Sequence, residues 1–236
     1  MKKSITLLIL FITFSICSQN LTGEQLLEKA IQFHDPNNNW PTFQGTLNIT
    51  MKSPNRSPRK SIIQINLPKQ YFSVKATRDS ITTNFIVDKE KYSFQLNGKN
   101  PTEEEQKKYN LNKDRANLYK NYYTYLYGLP MKLKDNGTII HDKVELKNFK
   151  GKQYLVLKVT YPKDIGKDTW YFYFNPKTYA MEVYQFFKDE SKKDGEYILL
   201  SDLETISGVI MPKNRAWYYN KNNGYLGTDF LTATKK

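Results

Sequence analysis

Residues 169–178 read Thr-Trp-Tyr-Phe-Tyr-Phe-Asn-Pro-Lys-Thr, and this stretch decides the fold. Its five consecutive rings lack helical spacing, and aromatic residues favour strands because they pack well on a pleated, half-buried surface. Asn175 and Pro176 then predict a turn. Three further strand-like runs follow, at 179–187, 196–204 and 209–219. Consecutive strands joined by short reversals predict an antiparallel meander.

The segments before this meander also have the pattern of strands. A hairpin is predicted around Lys150 and Gly151, with strands at 143–149 and 152–161. Prolines and basic residues at 52–60 predict a loop. Alternation of apolar and polar residues predicts five earlier strands, at 43–51, 61–67, 71–75, 81–87 and 91–96. Such alternation indicates an antiparallel sheet with one face against a core, and the predicted total is about eleven strands.

Helical patterns occur at two places. Thr22 and Gln25 form a capping box, so an amphipathic helix is predicted to begin the domain and to end before Pro36. A second capping box at 102–105 opens a short acidic helix, and a longer helix is predicted at 114–127. We expect this helical insert to pack on the apolar face of the sheet.

The first 18 residues have the pattern of a secretory signal peptide. Lys2 and Lys3 precede the apolar run 5–16, which is shorter than the roughly 20 residues that a membrane-spanning helix needs. We expect cleavage after Ser18, leaving one half-barrel domain at 19–236 that is exported to the periplasm or cell envelope. The alternative is a lipid anchor on Cys17, the single cysteine of the chain.

The charge of the chain favours acidic partners. Lys and Arg exceed Asp and Glu by 13, which suits anionic lipid headgroups, acidic glycans or nucleic acid. Because the chain is expected to be exported, we expect an anionic membrane surface rather than nucleic acid as a partner. The alternative is that the charge serves solubility alone.

Several motifs in the last third of the chain resemble those of a known superfamily. They lie at 170–179, 195–198, 208–218 and 226–229. The sequence resembles the periplasmic lipoprotein-carrier superfamily, with the Lol carrier and receptor fold, and within it a family of exported Bacteroidota proteins of unassigned function. The resemblance implies an α+β, mainly β fold: a strongly curved antiparallel sheet, an unclosed barrel, with the N-terminal helix and the insert covering its concave face. It supplies no catalytic residue.

The residue inventory does not favour an enzyme. The two histidines, His34 and His141, lack the spacing of a zinc site, and we expect structural roles for both. No nucleophile elbow or glycine-rich phosphate loop is present. We therefore expect no catalytic residue, no metal and no cofactor. The competing enzyme hypothesis uses Asp202, Glu204 and Arg215.

The surplus of aromatic residues is the stronger indication of function. Trp170, Phe172 and Phe174 face one side of their strand, whereas Tyr171 and Tyr173 face the other. In the plainer interpretation the first set is core, and the tyrosines lie outside with hydroxyls in water. In the functional interpretation, a monomeric protein holds a lipid, a lipoprotein acyl chain or another apolar ligand in a groove between sheet and helices. The predicted groove residues are Phe72, Val74, Phe85, Phe94, Tyr119, Tyr122, Leu126, Trp170, Phe172 and Phe174.

An alternative function uses the opposite face of the sheet. Tyrosines flanked by lysines suit the binding of acidic glycans or a partner protein. In this hypothesis the chain is a surface interaction module, and the groove is filled by its own side chains.

Overall fold

The computed structural model describes residues 21–164 and 166–232. The predicted signal peptide, including Cys17, lies outside these residues. The helices are α1 Gly23–His34, α2 Glu103–Tyr109 and α3 Lys113–Gly128. The strands are β1 Gln44–Ser53, β2 Arg56–Asn66, β3 Tyr71–Arg78, β4 Ile81–Asp88, β5 Lys91–Leu96, β6 Ile139–Ile140, β7 Glu145–Phe149, β8 Lys152–Thr160, β9 Thr169–Phe174, β10 Met181–Phe187, β11 Glu196–Ile206, β12 Val209–Tyr219 and β13 Tyr225–Thr232.

The strands form one antiparallel sheet in the order β5-β4-β3-β2-β1-β13-β12-β11-β10-β9-β8-β6, with β7 also paired to β8. The strand β13 inserts between β1 and β12 and so joins the N-terminal and C-terminal series. Within the described residues β5 and β6 do not pair, so the sheet is not closed into a barrel. The predicted fold class, a mainly β curved sheet with covering helices, is confirmed.

Two features of the sheet differ from the sequence prediction. The strand count is 13 rather than eleven, because β6 and β13 were not predicted. The predicted loop at 52–60 is a tight turn at Pro54 and Asn55, with Asn55 at φ +58°. The strands β1 and β2 continue on both sides of it, pairing Met51 with Arg59. Residues 52–60 have the composition of a loop, but backbone pairing between β1 and β2 holds most of them in strands.

Glycine explains why β13 is difficult to recognise from sequence. Gly227 has φ +152°, and a Cβ built on it would lie 2.7 Å from the carbonyl oxygen of Lys52 on β1. The close approach of the two strands therefore requires glycine at this position. Glycine normally weakens a strand, but at position 227 it is what allows β13 to pair with β1.

The inner face of the sheet carries the main core. Phe172 and Phe174 point into it and are fully buried, and helices α1 and α3 cover it. The helix α1 contacts β8 and β12, although three strands lie between them, and α3 contacts β3 and β4. Both predicted helices therefore pack on the apolar face, as expected. No helix among the described residues is long and apolar enough to cross a membrane.

A second, smaller apolar cluster lies on the outer face. Tyr173 packs there with Tyr154, Val156 and Val183. Its hydroxyl donates a hydrogen bond to Gln185 Oε1 at 2.6 Å, and the side chain is 5% exposed. The interpretation that the outer tyrosines are water-exposed is therefore wrong for Tyr173, because neighbouring strands supply enough rings to bury it.

His34 connects helix α1 to two strands. Its Nδ1 donates to the carbonyl oxygen of Ile210 at 2.8 Å, and its Nε2 accepts from the backbone N–H of Met181 at 2.9 Å. The ring is fully buried. Burial lowers the pKa of His34 from 6.5 to about 4. Its role is structural, and the neutral ring is the form that makes both contacts.

We expect His34 to make stability depend on pH. Below pH 6.5 the unfolded chain takes up a proton on this ring that the folded chain does not bind until about pH 4. The contribution of His34 to the free energy of unfolding is complete above pH 6.5. It is lost as the pH falls from 6.5 to about 4, by about 3 kcal/mol at most. Urea unfolding at pH 4 and pH 7 should show a smaller pH dependence for His34→Gln than for wild type. His141→Gln is the matched control, and parallel curves for all three proteins would contradict the assignment.

Candidate functional site

Two cavities lie beside helix α3 on the inner side of the sheet. Cavity A has a volume of 380 Å³ and lies between α3 and the strands β1, β2, β12 and β13. Cavity B has a volume of 610 Å³ and lies between α3, the segment 132–138 and β9. Cavity A is lined by Met51, Arg59, Tyr119, Tyr122, Trp217 and Asp229, among others. Cavity B is lined by Leu118, Tyr122, Tyr125, Tyr161 and Trp170, among others.

The two cavities share one apolar wall on α3. Leu118 and Tyr122 line both, four residues apart on the same side of the helix. Leu118 is 55% exposed and Tyr122 is 38% exposed. We call this pair the α3 ridge. Their exposure makes this side of α3 an apolar surface between the two cavities.

Rings from α3 are held in place by rings on the sheet. Tyr122 stacks on Trp217, with centroids 6.3 Å apart and planes 18° apart. On the cavity B side, the edge of Tyr125 meets Trp170 at 5.8 Å, and its hydroxyl is 2.7 Å from that of Tyr161. Such aromatic pairs contribute about 0.5–1.5 kcal/mol each beyond the burial of their area, so these contacts stabilise the position of α3 on the sheet.

A row of four side chains crosses the inner face of the sheet beneath α3, and three of them, Arg59, Met51 and Asp229, line cavity A. The strand register places Arg59, Met51, Asp229 and Arg215 side by side on β2, β1, β13 and β12. Asp229 and Arg215 are direct neighbours, whereas Met51 separates Asp229 from Arg59. Neighbouring strands are about 4.8 Å apart, so the backbones at Arg59 and Asp229 are two strand spacings apart, and both guanidiniums act on the Asp229 carboxyl.

Arg215 is the most deeply buried charge in this row, with 1% of its surface exposed. Its guanidinium carbon lies 3.7 Å from the ring centroid of Tyr127. Its Nη1 donates to the carbonyl oxygen of Pro212 at 2.7 Å, and its Nη2 to that of Leu126 on α3 at 3.5 Å. The residue therefore links the sheet to the helix above it.

Asp229 is nearly buried, and one oxygen, Oδ1, has no hydrogen-bond partner. Burial raises the pKa of the Asp229 carboxyl, and the guanidiniums of Arg59 and Arg215 oppose that shift. Arg59 donates from Nη2 to the Tyr123 hydroxyl at 3.5 Å, while its buried Nε has no partner. Buried polar atoms without partners are uncommon in folded proteins, so the floor of cavity A has unused hydrogen-bonding capacity.

The structure divides the predicted groove residues into two groups. Tyr119 and Tyr122 line cavity A, and Tyr122 and Trp170 line cavity B. Phe94 is partly buried against the core. The other predicted residues are buried and line neither cavity: Phe72, Val74, Phe85, Leu126, Phe172 and Phe174.

The reason for this division is that α3 packs its own rings on β3 and β4. Tyr119 meets Phe85 edge to face at 5.2 Å, and Tyr123 stacks on Phe72 at 6.3 Å. That part of the hollow is filled by side chains of this chain. A ligand contact with the six buried residues stays a prediction.

Sequence reasoning missed several residues of cavity A, including Arg59, Leu118 and Asp229. Arg59 is in phase with Ser61 and Ile63 on β2, so extending the alternation by one step would have placed it on the inner face. The sequence analysis assigned residue 59 to a loop, so its place on the inner face was not predicted. Asp229 required knowledge of β13 and its partners, which local pattern does not supply.

The residues of the enzyme hypothesis do not come together. Asp202 is exposed and accepts a hydrogen bond from Asn214 Nδ2 at 2.6 Å, whereas Arg215 is buried beneath α3. None of the polar contacts of Arg215 involves Asp202 or Glu204. In the described ranges, no three His, Cys, Asp or Glu side chains are grouped to hold a metal ion.

These observations define an open, helix-covered antiparallel sheet with cavities beside its covering helix. The model of the family DUF6503, a family of unknown function, matches residues 2–233, and the chain belongs to this family. Comparison with curated proteins found no match.

Solved structures that this chain is similar to come from Desulfovibrio piger and Nitrosomonas europaea. A DUF1329 family protein from Desulfovibrio piger has a TM-score of 0.51 and 9% identity, over 90% of this chain and 92% of that one. A LolA superfamily protein from Nitrosomonas europaea has a TM-score of 0.46 and 12% identity, over 92% and 95%. At these identities the likeness is one of fold. The predicted resemblance to a family of unassigned function is confirmed by the family match.

The pair of Arg215 and Asp229 gives a prediction about stability. Arg215→Met should lower the free energy of unfolding by about 3 kcal/mol, because it leaves a buried carboxylate without its adjacent cation. Asp229→Asn in the same chain should recover part of that loss, so the double variant should be more stable than Arg215→Met alone. Urea unfolding measures both. Arg56→Met, at an exposed position of β2, is the control, and additive losses would show that the pair is not coupled.

Proposed function

We propose that this protein is a non-enzymatic binding protein that holds a lipid, an acyl chain or a similar apolar ligand along the α3 ridge, in cavities A and B. The observation that carries the proposal is the exposure of Leu118 and Tyr122 between two ring-lined cavities. A ligand lying across the ridge would cover both side chains and contact the sheet on either side.

The dimensions and energetics suit a hydrocarbon chain. Volumes of 380 and 610 Å³ fall within the range of small-molecule sites, about 300–1,000 Å³. Burying hydrocarbon contributes about 0.8 kcal/mol per methylene, so eight methylenes contribute about 6 kcal/mol. That is enough to offset a substantial cost of immobilising the ligand.

The cellular setting of this proposal follows from the sequence. We propose that residues 1–18 are a signal peptide, that 19–236 form one domain, and that the protein acts as a monomer in the periplasm or cell envelope. Its excess of 13 positive charges would favour approach to an anionic membrane surface, where apolar ligands are exchanged.

Leu118 provides the test of this function. Leu118→Asp should weaken binding of a fluorescent fatty acid about tenfold or more, because a charge at the ridge cannot be desolvated cheaply. Its effect on the free energy of unfolding should be small, since the side chain is already exposed. Titration of probe fluorescence, with native mass spectrometry of protein from its own host, measures binding directly.

A matched control is available on strand β7, outside both cavities. Leu146 is 57% exposed on β7 and lines neither cavity, so Leu146→Asp should bind the probe like wild type. Protein that never binds the probe and is always isolated empty would refute the proposal. Equal loss of binding in both variants would also refute the location of the site.

A second candidate function has a specific observation in its favour. On the outer face, the Lys150 ammonium lies 4.9 Å from the ring centroid of Tyr197, and Lys147 lies 5.2 Å from that of Tyr171. Aromatic rings with adjacent cations suit acidic glycans. In this candidate function the chain is a surface interaction module.

Retention on an immobilised acidic polysaccharide tests the second candidate. Lys147→Gln and Lys150→Gln together should lower the salt concentration that elutes the protein, because electrostatic attachment is screened by salt. Lys60→Gln and Lys75→Gln, on the N-terminal strands, control for net charge. Elution at the same salt in all proteins would show that the patch around Tyr171 and Tyr197 is not the binding surface.

A further inference from the structure

The charged side chains that line cavity A balance one another. Arg59 and Arg115 contribute two positive charges. Glu196 and Asp229 contribute two negative charges. The described lining therefore has no net charge with which to pair an ionic headgroup. Since moving an ion out of water is costly unless an opposite charge is free to pair with it, this balance favours an uncharged ligand.

Asp229 has cations near it but lacks a hydrogen-bond donor. The residue is 5% exposed, and its Oδ1 has no hydrogen-bond partner. The guanidiniums of Arg59 and Arg215 act on this carboxyl through their charge. However, every ion pair within 4.0 Å among the described residues uses a lysine, so neither guanidinium is that close. Buried oxygens normally accept at least one hydrogen bond, so a donor, rather than a charge, is missing here.

The same lining contains a donor without an acceptor. Arg59 Nε is buried and has no partner, while Nη2 of this residue donates to the Tyr123 hydroxyl at 3.5 Å. The other guanidinium of the lining, that of Arg115, is already engaged: it stacks on Tyr119 and donates to its hydroxyl at 3.1 Å. The polar end of a ligand that satisfies both Arg59 and Asp229 must therefore accept a hydrogen bond as well as donate one.

Few headgroups meet this double requirement. A hydroxyl and a primary carboxamide are uncharged, and each both donates and accepts. A carboxylate has no proton to donate to Asp229, and its charge is repelled by that residue. An ammonium donates but cannot accept from Arg59, and its charge is repelled there.

We propose that the ligand of cavity A is an uncharged amphiphile whose polar end, a hydroxyl or a carboxamide, donates a hydrogen bond to Asp229 and accepts one from Arg59. The inference rests on the proposed function and gives the ligand its chemistry and orientation. Met51 stands between these two residues in the strand order, so the polar end lies over it. The hydrocarbon runs outward along the α3 ridge.

Probes with one hydrocarbon chain and different polar ends test this inference. Decanamide and decan-1-ol donate and accept, methyl decanoate only accepts, decanoate is an anion, and decylammonium is a cation. Wild type should bind the amide, the alcohol or both about tenfold or more tightly than the methyl ester, which has no donor for Asp229. Decanoate and decylammonium should also bind more weakly. Displacement of a fluorescent fatty acid gives each affinity, and the tighter of the two favoured probes identifies the polar group.

Two variants change the charge of the lining in opposite directions. Asp229→Asn leaves one net positive charge, so decanoate should gain about tenfold or more in affinity relative to decanamide. Arg59→Gln leaves one net negative charge, so decylammonium should gain by a similar factor relative to decanamide. This second variant keeps the carboxylate beside buried Arg215 and so tests the inference even if Asp229→Asn does not fold.

Matched controls remove the same charges outside the cavity. Asp202→Asn and Arg56→Gln change exposed residues that line neither cavity A nor cavity B, and both should keep the wild-type order of probes. Each comparison is a ratio within one variant, so a change in stability does not imitate the effect.

The outcomes separate the two proposals. If none of the five probes binds, the proposed function fails, and this inference fails with it. If methyl decanoate, decanoate or decylammonium binds wild type as tightly as the amide and the alcohol, the apolar site stands and the uncharged, donor-bearing polar end is refuted. The same conclusion holds if Asp229→Asn and Arg59→Gln both keep the wild-type order of probes.

Discussion

The constraint on which this structure depends is the apolar inner face of a single open sheet. Since β5 and β6 do not pair, the sheet cannot bury that face by closing on itself. Helices of the same chain must cover it, and they do so unevenly: α1 contacts β8 and β12, and α3 contacts β3 and β4. A rod-shaped helix on a curved sheet leaves space along its sides. Cavities A and B are that space, so the candidate site follows from how the core is covered.

Local pattern predicted most of the elements, and non-local pairing accounts for the rest. The sequence correctly predicted the capping boxes at Thr22 and Thr102, and it placed the side chains of Phe172 and Phe174 on the same face of their strand. Each of these features depends only on residues nearby in the sequence. The strand β13 was missed because its identity rests on a partner far along the chain and on Gly227, which composition alone marks as a breaker. The site was only partly predictable for the same reason.

The chemistry of cavity A is assembled from both ends of the domain. Arg59 and Met51 come from the N-terminal series, and Asp229 and Arg215 from the C-terminal one, and the ladder β2-β1-β13-β12 aligns them in one row. Helix α3 then places aromatic rings above a charged floor. Cavity A therefore has charged as well as apolar side chains in its lining, whereas the sequence predicted a purely apolar groove.

The central position of β13 also bears on how the molecule is made. The hydrogen bond from the Thr232 hydroxyl to the Asn48 carbonyl spans 184 residues. Until the ribosome has passed that point, β1 has an open edge and the two halves of the sheet remain separate. Contacts of such long range form slowly. The nascent polypeptide therefore exposes an unpaired strand edge until β13 has been made, and such edges are prone to aggregation.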